Sequence, residues 1–201
     1  MPSKTVTSEK IPLSVVRFSF PVIWKAKSFA TDQEPKFQAT FLLDPSDKAH
    51  ASMIKQIKKE AKRIVMEQFG EVPKGIKKCY GLADKHDKKK EYDGYAGMFY
   101  IQTSSTTQPT LADRNRNEVV ESDGVLYAGC YVNTVITLWC QDHPVGGKGV
   151  NANLRIVQFV KNGEAFGNAP AKADEELEVI DLDDDDEDDD SWDKDADEDD
   201  L

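Results

Sequence analysis

Apolar and polar positions alternate over several stretches of the chain. Over 13–24, Val16, Phe18 and Phe20 alternate with Arg17 and Ser19. Over 36–43, Phe37, Ala39, Phe41 and Leu43 alternate with Lys36, Gln38 and Thr40. Over 95–104, Phe99 and Ile101 alternate with Tyr100 and Gln102, and over 150–161, Leu154 and Ile156 stand against Asn153 and Arg155. A period of two predicts strands with one buried face. The pattern changes to helical spacing over roughly 46–69, where Ile54, Ile57, Ala61, Ile64, Val65 and Phe69 form one stripe. Ser46 or Asp47 can cap its start, and Gly70 stands where a C-terminal cap residue belongs. Lys55, Lys58, Lys59, Lys62 and Arg63 occupy the opposite face, which reads as solvated. The sum is an all-β domain with one flanking helix.

The 124–140 segment is the most informative strand. Its even positions, from Leu126 to Leu138, are nearly all apolar and belong in a core. Its odd positions include Tyr127, Tyr131, Asn133, Thr137 and Trp139. If that face is outward, it carries aromatic platforms ~7 Å apart, on which unpaired bases can stack. A two-sided core, with these rings under the helix or a loop, is the equal alternative. Met98, Tyr100 and Gln102 read as outward on another strand, and Arg155 and Phe159 on a third. Trp24, Lys25, Lys27 and Phe29 cluster after the first strand. Two long loops are expected, 71–94 with Lys77 and Lys78, and 104–123 with Arg114 and Arg116. Loops of that length are commonly functional or disordered. The GGKG run at 146–149 reads as a hairpin turn.

Charge divides the chain in two. From Asp174 onward, 19 acidic residues face one lysine, a net -18, whereas residues 1–173 hold 25 basic against 18 acidic residues, a net +7. The acidic stretch has no apolar periodicity and cannot bury enough surface to offset chain entropy. The expected organisation is a flexible N-terminus over 1–10, one domain over 11–167 and a disordered acidic tail over 168–201. Trp192 and Leu201 are the tail residues suited to docking a partner protein. Of the 201 residues, 39% are hydrophobic, and the mean hydropathy is -0.59. No apolar run approaches the ~20 residues of a membrane span, and MPSKTVTSEK lacks the apolar run of a signal peptide. No membrane partner is expected, and the expected location is cytoplasmic.

Catalytic signatures are sparse: GxSxG, GxGxxG, HExxH and the phosphate-binding GxxxxGK[ST] are all missing from the sequence. The nearest thing to a metal set is Cys79, His86, Cys140 and His143, read instead as buried thiols and loop histidines. Three cysteines without a CxxC argue against a disulfide framework. Neither a cofactor nor a metal is expected, and the chain does not read as an enzyme. A nuclease with tail-proximal carboxylates holding a metal is a third, weaker reading.

LYAGCYVNTVITLW at 126–139 and GGKGVNANLRIVQFVKNGEAFG at 146–167 resemble the C-terminal half of a bacteriophage single-stranded DNA-binding protein family, through Gly129, Tyr131, Asn133, Gly149, Asn153, Leu154, Gln158 and Gly163. The resemblance implies a five-stranded, OB-fold-like barrel and sequence-independent coating of single strands during phage replication, recombination and repair. The acidic tail is then expected to modulate DNA binding and to recruit replication and recombination proteins. The usual OB-fold helix follows the third strand, whereas the pattern here puts it after the second. The strand-face and charge arguments supply the expected DNA-binding residues: Trp24, Lys25, Lys27, Lys77, Lys78, Tyr100, Arg114, Arg116, Tyr127, Tyr131, Trp139 and Arg155. The alternative is an acidic-tailed chaperone or assembly factor for basic proteins, and a homodimer is left open.

Overall fold

A computed structural model describes residues 5–28, 34–144 and 146–167. Its elements in chain order are β1 (Ile11–Lys27), β2 (Lys36–Leu43), α1 (Lys48–Phe69), β3 (Lys77–Lys78), β4 (Tyr80–Leu82), β5 (Phe99–Ser105), β6 (Thr110–Ala112), β7 (Tyr131–His143) and β8 (Gly147–Lys161). Antiparallel pairing joins β2 to β1 and β5, and β7 to β1 and β8. The ring closes where Ser104 of β5 meets Asn153 of β8, in parallel. The order β1-β2-β5-β8-β7 is thus a five-stranded closed barrel.

The helix follows the second barrel strand, as its sequence position requires, and packs against β1, β2 and β7. The Asp47 carboxylate accepts the His50 N–H at 2.9 Å. Gly70, at φ 75, ends the helix by donating its N–H to the Met66 carbonyl at 2.9 Å. Ile54, Ile57, Ala61, Ile64 and Val65 are the buried stripe. They meet Ile11, Leu13, Phe18, Phe41, Ile101, Ile136 and Leu138 inside the barrel. Each such side chain contributes about 1.5–3 kcal/mol on burial.

Five expectations are corrected. The two long loops hold β3, β4 and β6, strands of two or three residues, too short to carry a period. The 124–140 strand begins at Tyr131, because the chain turns at 127–130, where the Cys130 N–H bonds the Tyr127 carbonyl at 3.2 Å. In β1, register shifts fall between Leu13 and Val16 and between Ser19 and Val22. Phe20 therefore leaves the core face and is 52% exposed, while Phe18 stays buried. Part of the 1–10 segment is fastened, since the Ser8 N–H donates to the Leu138 carbonyl at 2.8 Å and the Cys140 N–H to the Val6 carbonyl at 3.2 Å. A further shift in β8, at Arg155, moves the buried set from Val150, Ala152 and Leu154 to Val157 and leaves Ile156 half-buried.

Cys79, Cys130 and Cys140 are free thiols. Burial pushes Cys79 up to about 12 and Cys130 up to about 11. Among the described residues no helix is long and apolar enough to cross a membrane. Phe29 and all of 168–201, with Trp192 and Leu201, lie outside the described residues.

Candidate nucleic-acid interface

The β2–β5 pair places Ala39, Phe41 and Ile101 in the barrel core. The alternate positions Gln38, Thr40, Leu42, Tyr100, Gln102 and Ser104 then face outward, with Thr40 opposite Gln102 and Gln38 opposite Ser104. At one end this outer face is roofed by the segment 83–98. Ala83 and Tyr95 join Leu42 and Tyr100 in a second buried cluster, with Met98 and Phe166 against it. The Tyr95 hydroxyl donates to Ser19 Oγ at 3.2 Å, and burial is the main cause of its raised pKa.

Beside the roof lies a groove of about 690 Å3. Gln38, Thr40 and Gln102 lie along the strands, and Phe20, Lys89, Tyr92, Tyr95 and Phe166 line it from other elements. The Phe20 and Tyr92 rings meet edge to face at 5.1 Å between centroids, and Tyr95 lies 6.1 Å from Phe20 and 5.4 Å from Tyr92. The Lys89 ammonium sits 4.7 Å from the Tyr100 ring centre, and burial lowers its pKa.

A second concavity, about 590 Å3, adjoins the first across the Gln38–Ser104 pair. Lys36, Ser104, Gln108, Trp139, Asn153 and Arg155 line it. The third, about 340 Å3, shares Gln108 and includes Arg116 and Glu118. Together they make one track, with aromatic rings at its start and middle, Lys89, Lys36, Arg155 and Arg116 along it, and the carboxylates of Glu91, Asp93 and Glu118 among them.

This geometry sorts the expected residues. Trp139, Arg155 and Arg116 line the track. Lys25 and Lys27 are exposed, and Lys27 pairs with Lys36, placing it near the second concavity. Arg114 lies beside the third, but its Nε–H donates to the Val160 carbonyl and its guanidinium lies 5.5 Å from the Phe159 ring centre. Trp24 is half-buried against the core. Lys77 and Lys78 are exposed on β3, beyond β8, and line none of the three concavities; Lys77 Nζ donates to the Gly146 carbonyl at 2.8 Å.

The row of free aromatic platforms is not formed. Tyr100 faces away from the barrel but is buried under the 83–98 roof. Tyr127 lies outside the strand, and its hydroxyl donates to the Gly163 carbonyl at 2.9 Å and accepts the Gly163 N–H at 3.0 Å. Tyr131 points outward, but the Arg17 guanidinium, 5.1 Å from its ring centre, and the Lys161 ammonium, 4.6 Å away, stack on it. Arg17 is also 4.5 Å from the Phe166 ring centre and donates to the Glu164 carbonyl at 2.6 Å. These contacts strap residues 162–167 across the barrel.

Phe20, Lys36, Lys89, Tyr92 and Phe166 are the groove residues that strand faces did not single out. Phe20 looked like core, and Tyr92 closes the lysine-rich run KHDKKKEY, which was legible only as a loop. Of the cysteine–histidine set, Cys140 is buried and His86 exposed, and among the described residues no three His, Cys, Asp or Glu side chains could share an ion.

A five-stranded barrel with its track over the second and third barrel strands is a protein of the OB-fold class. The chain belongs to the family of the ssDNA-binding protein of Enterobacter phage Enc34, whose family model matches residues 9–191. It is 33% identical over 181 residues to putative protein p50 of Acyrthosiphon pisum secondary endosymbiont phage 1, covering 86% of this chain and 95% of that protein. Among solved structures it is similar to the single-stranded DNA-binding protein from bacteriophage Enc34 in complex with ssDNA, with a TM-score of 0.69 and 25% identity over 82% of this chain and 99% of that one. A C-terminal truncation of the same phage protein aligns with a TM-score of 0.66 at 25% identity, over 83% and 99% of the two chains.

Proposed function

We propose that this chain binds single-stranded DNA without making or breaking a bond. It coats and protects strands in the host cytoplasm during phage replication, recombination and repair. The observation that carries this reading is the track over β2 and β5, where Phe20, Tyr92 and Trp139 offer rings and Lys36, Lys89, Arg116 and Arg155 offer cations beside polar side chains. Family membership supports the same ligand. Rings stack on bases and cations neutralise phosphates, a combination suited to a strand whose bases are already unpaired.

The test is a titration of labelled single-stranded and duplex oligonucleotides at matched salt. Single strands are expected to bind far more tightly, with affinity falling on a log–log slope near -0.7 per neutralised phosphate. Trp139→Ala is expected to weaken single-strand binding by about 1–3 kcal/mol. Equal affinity for both forms would overturn the reading.

The acidic tail has two proposed roles. Its net charge of -18 competes with DNA for the basic body, and Trp192 and Leu201 dock replication and recombination proteins. Truncation after Ala173 is then expected to tighten single-strand binding at 0.01 M salt, where screening reaches ~30 Å, and to have almost no effect near 1 M, where it reaches ~3 Å. Unchanged or weaker binding by the truncated protein at low salt would remove the competitive role.

A further inference from the structure

We propose that the first concavity is a nucleobase subsite, in which one unpaired base stacks on Phe20 beside Tyr92 while Gln38 and Gln102 bond its edge. Affinity then depends on base composition, which sequence-independent coating does not require. The inference rests on the single-strand reading above and adds a selectivity to it.

The backbone of β1 carries the first part of the argument. Phe20 has φ 47, in the left-handed region that bulky residues avoid. The strain is not recovered by burial, because the ring is 52% exposed. Backbone strain that holds an apolar ring in solvent points to recognition. Tyr92 is 40% exposed beside it. Tyr95, buried and bonded to Ser19, buttresses both rings. The Phe20 ring, held edge to face against Tyr92 at 70°, is thus a platform fixed before any ligand arrives.

The groove floor carries the second part. Among the described residues the side chains of Gln38 and Gln102 have no hydrogen-bond partner, although both line the groove. Other outward amides of the barrel are paired: Asn133 with Gln158, Asn151 with Gln141, Asn153 with Thr137. A carboxamide offers donors beside an acceptor, the complement of a base edge. Lys89 lines the same groove and suits the phosphate of the bound nucleotide, while of the two carboxylates there, Glu91 and Asp93, the latter accepts the Gly167 N–H at 2.9 Å. The volume of about 690 Å3 falls within the ~300–1,000 Å3 of small-molecule clefts. A base can enter only if it is unpaired, since its stacking faces and its edge are all engaged.

The experiment titrates the full chain with labelled dT, dC and dA homopolymers of one length at one salt concentration. Phe20→Gly removes the ring, while glycine adopts the positive φ freely, so the fold is kept, and a denaturant melt confirms that the variant is folded at the titration temperature. It is expected to lower affinity for all three homopolymers about tenfold. Gln38→Leu together with Gln102→Leu should still bind, but should change the dT-to-dA affinity ratio about threefold or more. Stacking within the oligonucleotide is common to both proteins and cancels in that comparison. Wild-type affinity in Phe20→Gly overturns the platform, and an unchanged ratio in the double variant overturns edge reading. Failure of the wild-type chain to bind any single strand would instead overturn the functional reading itself.

Discussion

Gly129→Ala is expected to destabilise the barrel by roughly 2–5 kcal/mol, combining left-handed backbone strain with overpacking. A Cβ at this position would lie 2.1 Å from the Glu164 carbonyl oxygen and 2.8 Å from Ala165 Cα. Both obstacles are backbone, so no rotamer change relieves them. Gly129 also has φ 109, which L side chains rarely adopt. The loss is a large share of the ~5–15 kcal/mol that holds a typical domain together. Denaturant unfolding of the variant beside Gly75→Ala measures it. Gly75 has φ 71 with nothing within 4 Å of its Cβ, and isolates the conformational part. If both variants lose the same stability, the close approach of the 162–167 strap is not what Gly129 serves.

Tyr95→Ala is the second large effect, at about 3–5 kcal/mol for a buried aromatic ring. Its ring is 1% exposed and holds the roof of 83–98 against Leu42 and Tyr100. The variant should open the roof locally, so trypsin will cleave at Lys85 and Lys88–Lys90 faster than in the wild type. Tyr95→Phe keeps the ring and loses the hydroxyl bond to Ser19, at a cost of about 0.5–1.5 kcal/mol. Limited proteolysis with denaturant melts separates the two variants. Wild-type cleavage kinetics in Tyr95→Ala would show that the roof is held by something other than this residue.

Period-two alternation was enough to locate the barrel strands, and helical spacing the helix, because each buries one face over at least seven residues. It failed at β3, β4 and β6, where two or three residues hold no period. Nor could it distinguish Phe20 from Phe18. The β1 bulge that exposes one and buries the other depends on pairing with distant strands, and a one-residue slip reverses every face after it. On β7 the alternation separated the two faces from Tyr131 to Trp139, and a two-sided core remained its equal alternative. What lies on that face was not legible, since Arg17 reaches Tyr131 from β1 and the roof reaches Tyr100 from a loop. The family-like residues prove largely architectural. The Asn133 side chain accepts the Val15 N–H at 2.9 Å and donates to Gln158, which in turn donates to the Asp113 and Arg114 carbonyls. Such residues mark kinship clearly and the track poorly.

The barrel closes on the single pair Ser104–Asn153, and both residues line the second concavity. The seam of the cylinder and the middle of the track therefore coincide. A strand lying there spans the join like a suture across a wound, tying β5 to β8 from outside. Amide hydrogens on both sides of the seam will then exchange more slowly in the complex than in the free protein, and this slowing will spread along β5 and β8 past the nucleotides' own footprint.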